Sequence, residues 1–226
     1  TIDLAALYYE ISLPGWRGTT LTIAHLSDLH VHGSLPYAYY VSAIERANAE
    51  QPDLFFVTGD MVTKAEDADT LPDLLRRARG RLGVYAILGN HDYWADGPRV
   101  AAAVRQSGVT LLHNGCQRLA VGDQQQIVIC GCEDPWARPR WRAPQLHQGE
   151  RLLVLSHTAD NIYRLNKAGA AAVFCGHYHG GQARIPLLGP LIVPSIYGRR
   201  FDRGHFCVHG THLFVSAGIG SGHPPV

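Results

Sequence analysis

A chain of 226 residues, 46% hydrophobic and 17% charged, has the composition of a folded globular protein, which excludes disordered and fibrous classes. Its 20 basic and 19 acidic side chains leave a formal charge of +1. That balance excludes a bulk electrostatic footprint for nucleic acid, so an anionic substrate has to be held by local charge or by metal.

Taken in chain order, residues 4–13 are apolar, alternate toward their end and stop at Pro14-Gly15, which predicts a strand. A second strand is predicted over 21–26, running into Ser27-Asp28-Leu29-His30. Pro36 stands at a helix start, and residues 37–49 have helical spacing with few breakers. Pro52-Asp53 opens a short apolar strand over 54–57 that ends in Thr58-Gly59-Asp60. A helix is predicted over 67–79, a strand over 83–88 ending in Gly89-Asn90-His91-Asp92, and a helix over 98–106 closed by Gly108. Residues 111–112, 117–121 and 126–130 read as strands, followed by a loop over 133–148 rich in Trp, Pro and Arg. A strand over 152–155 ends at Ser156-His157, and a short helix covers 161–167. A strand over 171–175 ends at Gly176-His177-Tyr178-His179, and residues 206–208 and 212–215 form a hairpin around His209-Gly210. There are no repeats, low-complexity tracts or interdomain linkers, so residues 1–226 are expected to form one domain.

Five apolar strands thus end in polar clusters: Asp28 and His30, Asp60, Asn90 and His91, His157, and His177 and His179. In α/β sheets, ligand sites gather at the carboxyl ends of strands. Asp, Asn and His supply oxygen and imidazole nitrogen ligands, a mixed set that suits Mn, Fe, Zn or Co better than a Ca site. Seven ligands are too many for one tetrahedral ion and enough for two ions that share a carboxylate.

Other candidates have plainer readings. Cys130, Cys132, Cys175 and Cys207 lie in or beside apolar runs and read as buried reduced thiols. His25 reads as a hydrogen-bonded core or edge residue and His32 as a surface loop residue. His113, His147, His209, His212 and His223 read as ordinary surface or turn histidines. Trp136, Arg138, Arg140, Trp141 and Arg142 interleave aromatic and basic groups that could stack on bases and hold phosphates; the plainer reading is a solvated loop anchored by one or two tryptophans. That loop and the carboxyl-terminal hairpin are also candidates to face a membrane. No run reaches the roughly 18 apolar residues that span a bilayer. The start at Thr1 and the end at Pro224-Pro225-Val226 read as those of a fragment, which leaves a membrane anchor outside these residues open.

The order Asp28-Leu29-His30, Gly59-Asp60, Gly89-Asn90-His91-Asp92, His157 and Gly176-His177-Tyr178-His179 resembles the calcineurin-like metallophosphoesterases over about residues 20 to 220. Ser27-Asp28-Leu29-His30 and His177-Tyr178-His179-Gly180-Gly181-Gln182 resemble a bacterial subgroup often found with an amino-terminal membrane segment. That subgroup includes phosphodiesterases and UDP-diacylglucosamine pyrophosphatases. The chain departs from the pattern where Thr158-Ala159-Asp160 follow His157, since many members have Pro there.

The resemblance implies an α/β fold of two mixed sheets packed as a sandwich between helices, an αββα arrangement. It implies that Asp28, His30 and His179 hold one divalent ion, that Asn90, His157 and His177 hold a second, and that Asp60 bridges them. His91 would donate a proton to the leaving oxygen or take up transition-state charge, with Asp92 orienting its ring. The expected reaction is in-line attack of metal-bound hydroxide on a phosphodiester or pyrophosphate. A nucleotide-linked lipid such as UDP-diacylglucosamine is the expected substrate type, and Arg199 and Arg200 are candidates for substrate contact. The alternatives are a phosphomonoesterase or phosphoprotein phosphatase, and a metal-binding scaffold without catalysis. A cytoplasmic location is expected, with membrane association through a segment outside this sequence or at the periphery.

Overall fold

A computed structural model describes residues 4–31, 35–123, 125–181, 184–185, 189–190 and 194–220. Most of the expected elements appear in order, with their ends adjusted by local chemistry. β1 spans Ile23–Leu26, α1 Tyr37–Ala49 and β2 Leu54–Thr58. A 3₁₀ turn, Ala65–Thr70, leads into the short α2, Leu71–Leu75. The longer helix expected over 67–79 is not formed. Pro72 sits in the first turn of α2 and brings no N–H, so the α-helical ladder starts afresh there.

β3 covers Gly83–Ile87, and α3 runs over Asn90–Gln106, eight residues earlier than the helix expected from Pro98. The early start is a separate turn of helix. Backbone angles at Asp96 (φ −173°, ψ 86°) break the ladder before Pro98, as the residues ahead of a proline require. β4 is Thr110–Leu111, β5 Cys116–Val121, β6 Gln125–Cys132, β7 Arg151–Ser156, α4 Ile162–Lys167 and β8 Ala170–Cys175. β9, Arg184–Ile185, pairs with β10, Gly189–Pro190. β11, Gly204–Val208, and β12, Thr211–Val215, form the expected hairpin.

Residues 4–13 do not form the expected strand. Their side chains, rather than a backbone ladder, make the contacts: Tyr8 donates to Glu50 at 2.7 Å, and the Tyr9 ring lies against His205 and Phe214. Leu7, Tyr8 and Tyr9 stay exposed.

β1 to β4 form one sheet in sequence order, parallel throughout, because a helical crossover separates each pair of strands. This sheet was expected to be mixed; only the second one is. That sheet has the order β11-β12-β8-β7-β6-β5, with parallel pairs at its centre and antiparallel pairs at both edges. Alternation along β2 shows how the layers are bound together. Leu54 and Phe56 face the second sheet, where they meet Ile127, Ile129, Leu155 and Phe174. Phe55 and Val57 face the opposite way, into a core shared with Tyr40, Ile44, Leu74 and Val104 of the helices. A third core, with Val154, Val173, Ile162 and Trp141, covers the outer face of the second sheet. Helix, sheet, sheet and helix are therefore stacked as four layers.

Two thiol expectations fail. Cys116 and Cys130 stand directly opposite on β5 and β6 and form a disulfide. Cys207, on the edge strand β11, is exposed; Cys132 and Cys175 are buried and free. No described helix is long and apolar enough to cross a membrane.

Candidate metal centre

All the expected ligands follow strands that run the same way, so they converge at one end of the sandwich. Asp28 and His30 follow β1, Asp60 follows β2, and Asn90 and His91 open α3 just after β3. From the other sheet, His157 follows β7, and His177 and His179 follow β8. Backbone hydrogen bonds tie these turns together: Asp28 N to the Gly59 carbonyl, His30 N to the Asp60 carbonyl and Gly176 N to the His157 carbonyl.

The turns are sharp. Asp28, His30, Asp60, His177 and His179 all have positive φ, between 43° and 75°, a conformation that side chains other than glycine seldom adopt. Neighbouring glycines make room for them. A Cβ on Gly89 would lie 2.2 Å from Asp60 Oδ1, and one on Gly176 would lie 2.0 Å from Asp28 Oδ2.

Three groups of ligand atoms result, each with all atoms within 4.8 Å of one another: Asp28, His30 and His179; Asp60, His157 and His177; and His30, Asp60 and His91. Asn90 joins the second group, with Oδ1 3.1 Å from His157 Nε2. Asp60 lies between the groups, its Oδ2 3.7 Å from His30 Nε2 and 3.2 Å from His157 Nε2. Its Oδ1 accepts from the His91 backbone N–H. The third group, which adds His91, was not foreseen.

The donor set fits a cation. His157 Nδ1 is 2.7 Å from the Thr58 carbonyl, so a proton sits there and Nε2 is the nitrogen turned inward, to take up either a cation or a second proton. That nitrogen faces the oxygens of Asp60 and Asn90, and His30 Nε2 faces His179 Nε2 at 3.1 Å. Lone pairs aimed at one another need positive charge between them. Burial works to lower the His157 pKa, but the Asp60 carboxylate reverses this and raises it to about 10. Burial lowers His30 and His177 to about 3, so these rings are neutral and able to bind metal. Burial would raise the Asp60 carboxyl, yet His157 opposite holds it well below the ordinary carboxylate range.

Asp92 is not where the resemblance implied. Its carboxylate accepts from Met61 N at 2.8 Å, Val62 N at 3.1 Å and Gly89 N at 2.9 Å, and makes no hydrogen bond to the His91 ring. It buttresses the turns that carry Asp60 and Asn90 instead. The His91 ring stands edge-on to His30 and tilts against the exposed Trp94. Arg199 and Arg200 lie in the 3₁₀ turn Gly198–Phe201, where the Arg200 guanidinium covers the rings of Tyr163 and Phe201. No described contact joins either arginine to the ligand cluster. Trp141 is in the core, and the half-buried Trp136 packs against His157 and His177. His25 meets Thr58 Oγ1 at 2.9 Å, as a hydrogen-bonded histidine should. His32, Gln182 and His223 lie outside the described residues.

Glu133 was not singled out. It is fully buried and accepts from Leu88 N and from the Tyr93 hydroxyl, and its Oε2 is 3.0 Å from His113 Nδ1. The signal was available, because Glu133 follows β6 as the other polar residues follow their strands. A cavity of about 360 Å³ opens beside His177 and Trp136.

Residues 21–181 match the family described as calcineurin-like phosphoesterase. Phosphodiesterase YaeI of Escherichia coli K12 is 27% identical over 232 residues, which span 95% of this chain and 85% of that protein. UDP-2,3-diacylglucosamine pyrophosphatase LpxG of Chlamydia trachomatis is 26% identical over 219 residues, 74% of this chain and 65% of that protein. Among solved structures, TT1561 of Thermus thermophilus superposes with a TM-score of 0.58 at 12% identity, covering 90% of this chain and 92% of that one, a likeness of fold.

Proposed function

The chain belongs to the calcineurin-like phosphoesterases, and within that phosphoester hydrolase family we propose that it cleaves phosphodiester or pyrophosphate bonds at a centre of two divalent ions. Asp28, His30 and His179 would hold one ion, Asn90, His157 and His177 the other, and Asp60 both. The observation that carries this is the position of Asp60 Oδ2, which faces His30 of one group and His157 of the other. When bound, the ions supply positive charge at the phosphoryl group and an acidified water. Mn, Fe, Zn and Co all suit the mixed donors.

The chain's own groups do the rest. The Thr58 carbonyl fixes the His157 tautomer, and Thr63 Oγ1 steadies His30 through Nδ1 at 3.1 Å. His91, held at its backbone by Asp60 Oδ1, would protonate the leaving oxygen. The similarity to LpxG supports a nucleotide-linked lipid such as UDP-diacylglucosamine as one substrate class, which would bring the protein to a membrane periphery. The similarity to YaeI supports a diester. Arg199 and Arg200 are then candidates for a distal phosphate.

The test is to measure metal per chain and hydrolysis of bis(p-nitrophenyl) phosphate before and after chelation, with p-nitrophenyl phosphate beside it. About two ions per chain are expected, with activity lost on their removal, restored by Mn²⁺ and greater on the diester. Diester hydrolysis that survives complete metal removal would sink the proposal.

A further inference from the structure

The cavity beside the ligand cluster differs in chemistry from the cluster itself. Trp136 forms one wall, with its ring edge-on to His177 at 5.4 Å between centroids, and Pro135, Pro194 and Ile196 complete the apolar surface. Ile196 is 77% exposed, so its side chain is open to a group entering the cavity.

The polar side chains that line the cavity are already engaged within the protein. Thr158 Oγ1 is 2.7 Å from the Tyr178 hydroxyl and accepts from Asp160 N. Asp160 accepts from Tyr178, from Ser195 at 2.6 Å and from Ile196 N, which ties the segment carrying Ile196 to the rim. Asn161 donates to the Asp134 carbonyl and Ser156 and accepts from Arg164. Among the described lining residues there is no Lys or Arg. A second phosphate would meet no countercharge there, only the Asp160 carboxylate. A flat or apolar neutral group would meet tryptophan, proline and isoleucine surfaces.

Resting on the reading of the site as a phosphodiesterase, we propose that this cavity is the subsite for the non-leaving ester arm. It would select diesters whose retained arm is a neutral aromatic or apolar group, with Trp136 and Ile196 as the specificity-determining side chains. Selection acts on the retained arm alone: in a pyrophosphate the second phosphate departs with the leaving group, so either bond type presents an ester arm to this apolar surface.

Two substrates with the same leaving group separate arm binding from chemistry: bis(p-nitrophenyl) phosphate and methyl p-nitrophenyl phosphate. With the Mn²⁺-loaded protein, the aryl arm is expected to lower KM roughly tenfold relative to methyl, the scale of burying part of one aromatic ring. Trp136→Ala should collapse that ratio toward one. Ile196→Ser, at an exposed position that cannot unsettle the core, should narrow it about threefold. Equal KM values in the parent protein, or a ratio that persists in both variants, would overturn the subsite and leave the hydrolase reading standing. If neither diester is hydrolysed under any metal, the hydrolase reading fails and the subsite with it.

Discussion

Asp92 and His91 are neighbours in sequence with separable tasks. The Asp92 carboxylate is wholly buried, and three backbone N–H groups point at it. An amide in its place could accept with one oxygen, but its NH₂ would face donors that already lack other partners. Asp92→Asn is therefore expected to cost about 2–3 kcal/mol, the range for buried donors left unpaired around a formerly charged acceptor. Activity should fall with it, because Met61, Val62 and Gly89 flank Asp60 and Asn90. Urea unfolding of the variant would settle this; a stability equal to the parent's would show that the three bonds carry no net weight. His91 should behave differently. Its ring is partly exposed and its backbone, not its side chain, contacts Asp60. His91→Ala is expected to lower kcat by about 10²–10⁴, the usual worth of a positioned acid, with the unfolding midpoint and metal content nearly unchanged. Parent-like turnover would remove His91 from the chemistry.

At the scale of elements, the strands determine where the chemistry is and the turns determine how closely it converges. The positions of Asp28, Asp60, His157 and His177 were legible because a short apolar run followed by a polar cluster is visible in the order of residues alone. α1 was legible for the same reason, through its spacing and Pro36. What was not legible depended on partners distant in sequence. Residues 4–13 look like a strand, yet a strand needs a ladder, and these residues find side-chain contacts instead. The tie of Asp92 to Met61 and Val62 depends on how β2 and β3 lie side by side. The Cys116–Cys130 bridge depends on the β5–β6 register, which puts the two residues opposite each other across 14 positions of chain. By the chain-entropy account, closing a loop of that size stabilises the fold by about 3 kcal/mol, so reduction should lower Tm by roughly 5–10 °C in a chain this long. Because β5 is the outer edge of its sheet, activity below the transition should be kept. Scanning calorimetry with and without reductant tests both halves, and an unmoved Tm would mean that the bridge adds nothing to the folded state.

Over the whole molecule, the candidate metal centre is a junction between two sheets. Asp28, His30, Asp60 and Asn90 come from the ends of the parallel sheet, and His157, His177 and His179 from the mixed one. Across this junction ligand atoms crowd together: His157 Nε2 against Asp60 Oδ2, His30 Nε2 against His179 Nε2, and His179 Nε2 against Asp28 Oδ1 at 3.5 Å. Without a cation a proton on His157 can satisfy its contact with Asp60, but the His30–His179 contact demands a proton that the buried His30 ring holds poorly. Cations held by these donors would cross-link the sheets at the end where Glu133, bonded to Leu88 N, already ties β6 to β3. Ions that bind the folded chain and not the unfolded one stabilise it by about 2.7 kcal/mol at a hundredfold excess over Kd. The expected outcome is a Tm that falls several degrees on chelation and climbs again with added Mn²⁺ in proportion to the logarithm of its concentration. Asp60→Asn should flatten that dependence, since Asp60 faces both groups of ligands. A Tm indifferent to chelator and to Mn²⁺ would mean that the two sheets are held by the apolar core alone and that the convergence of seven donors from five strands does not depend on metal for its shape.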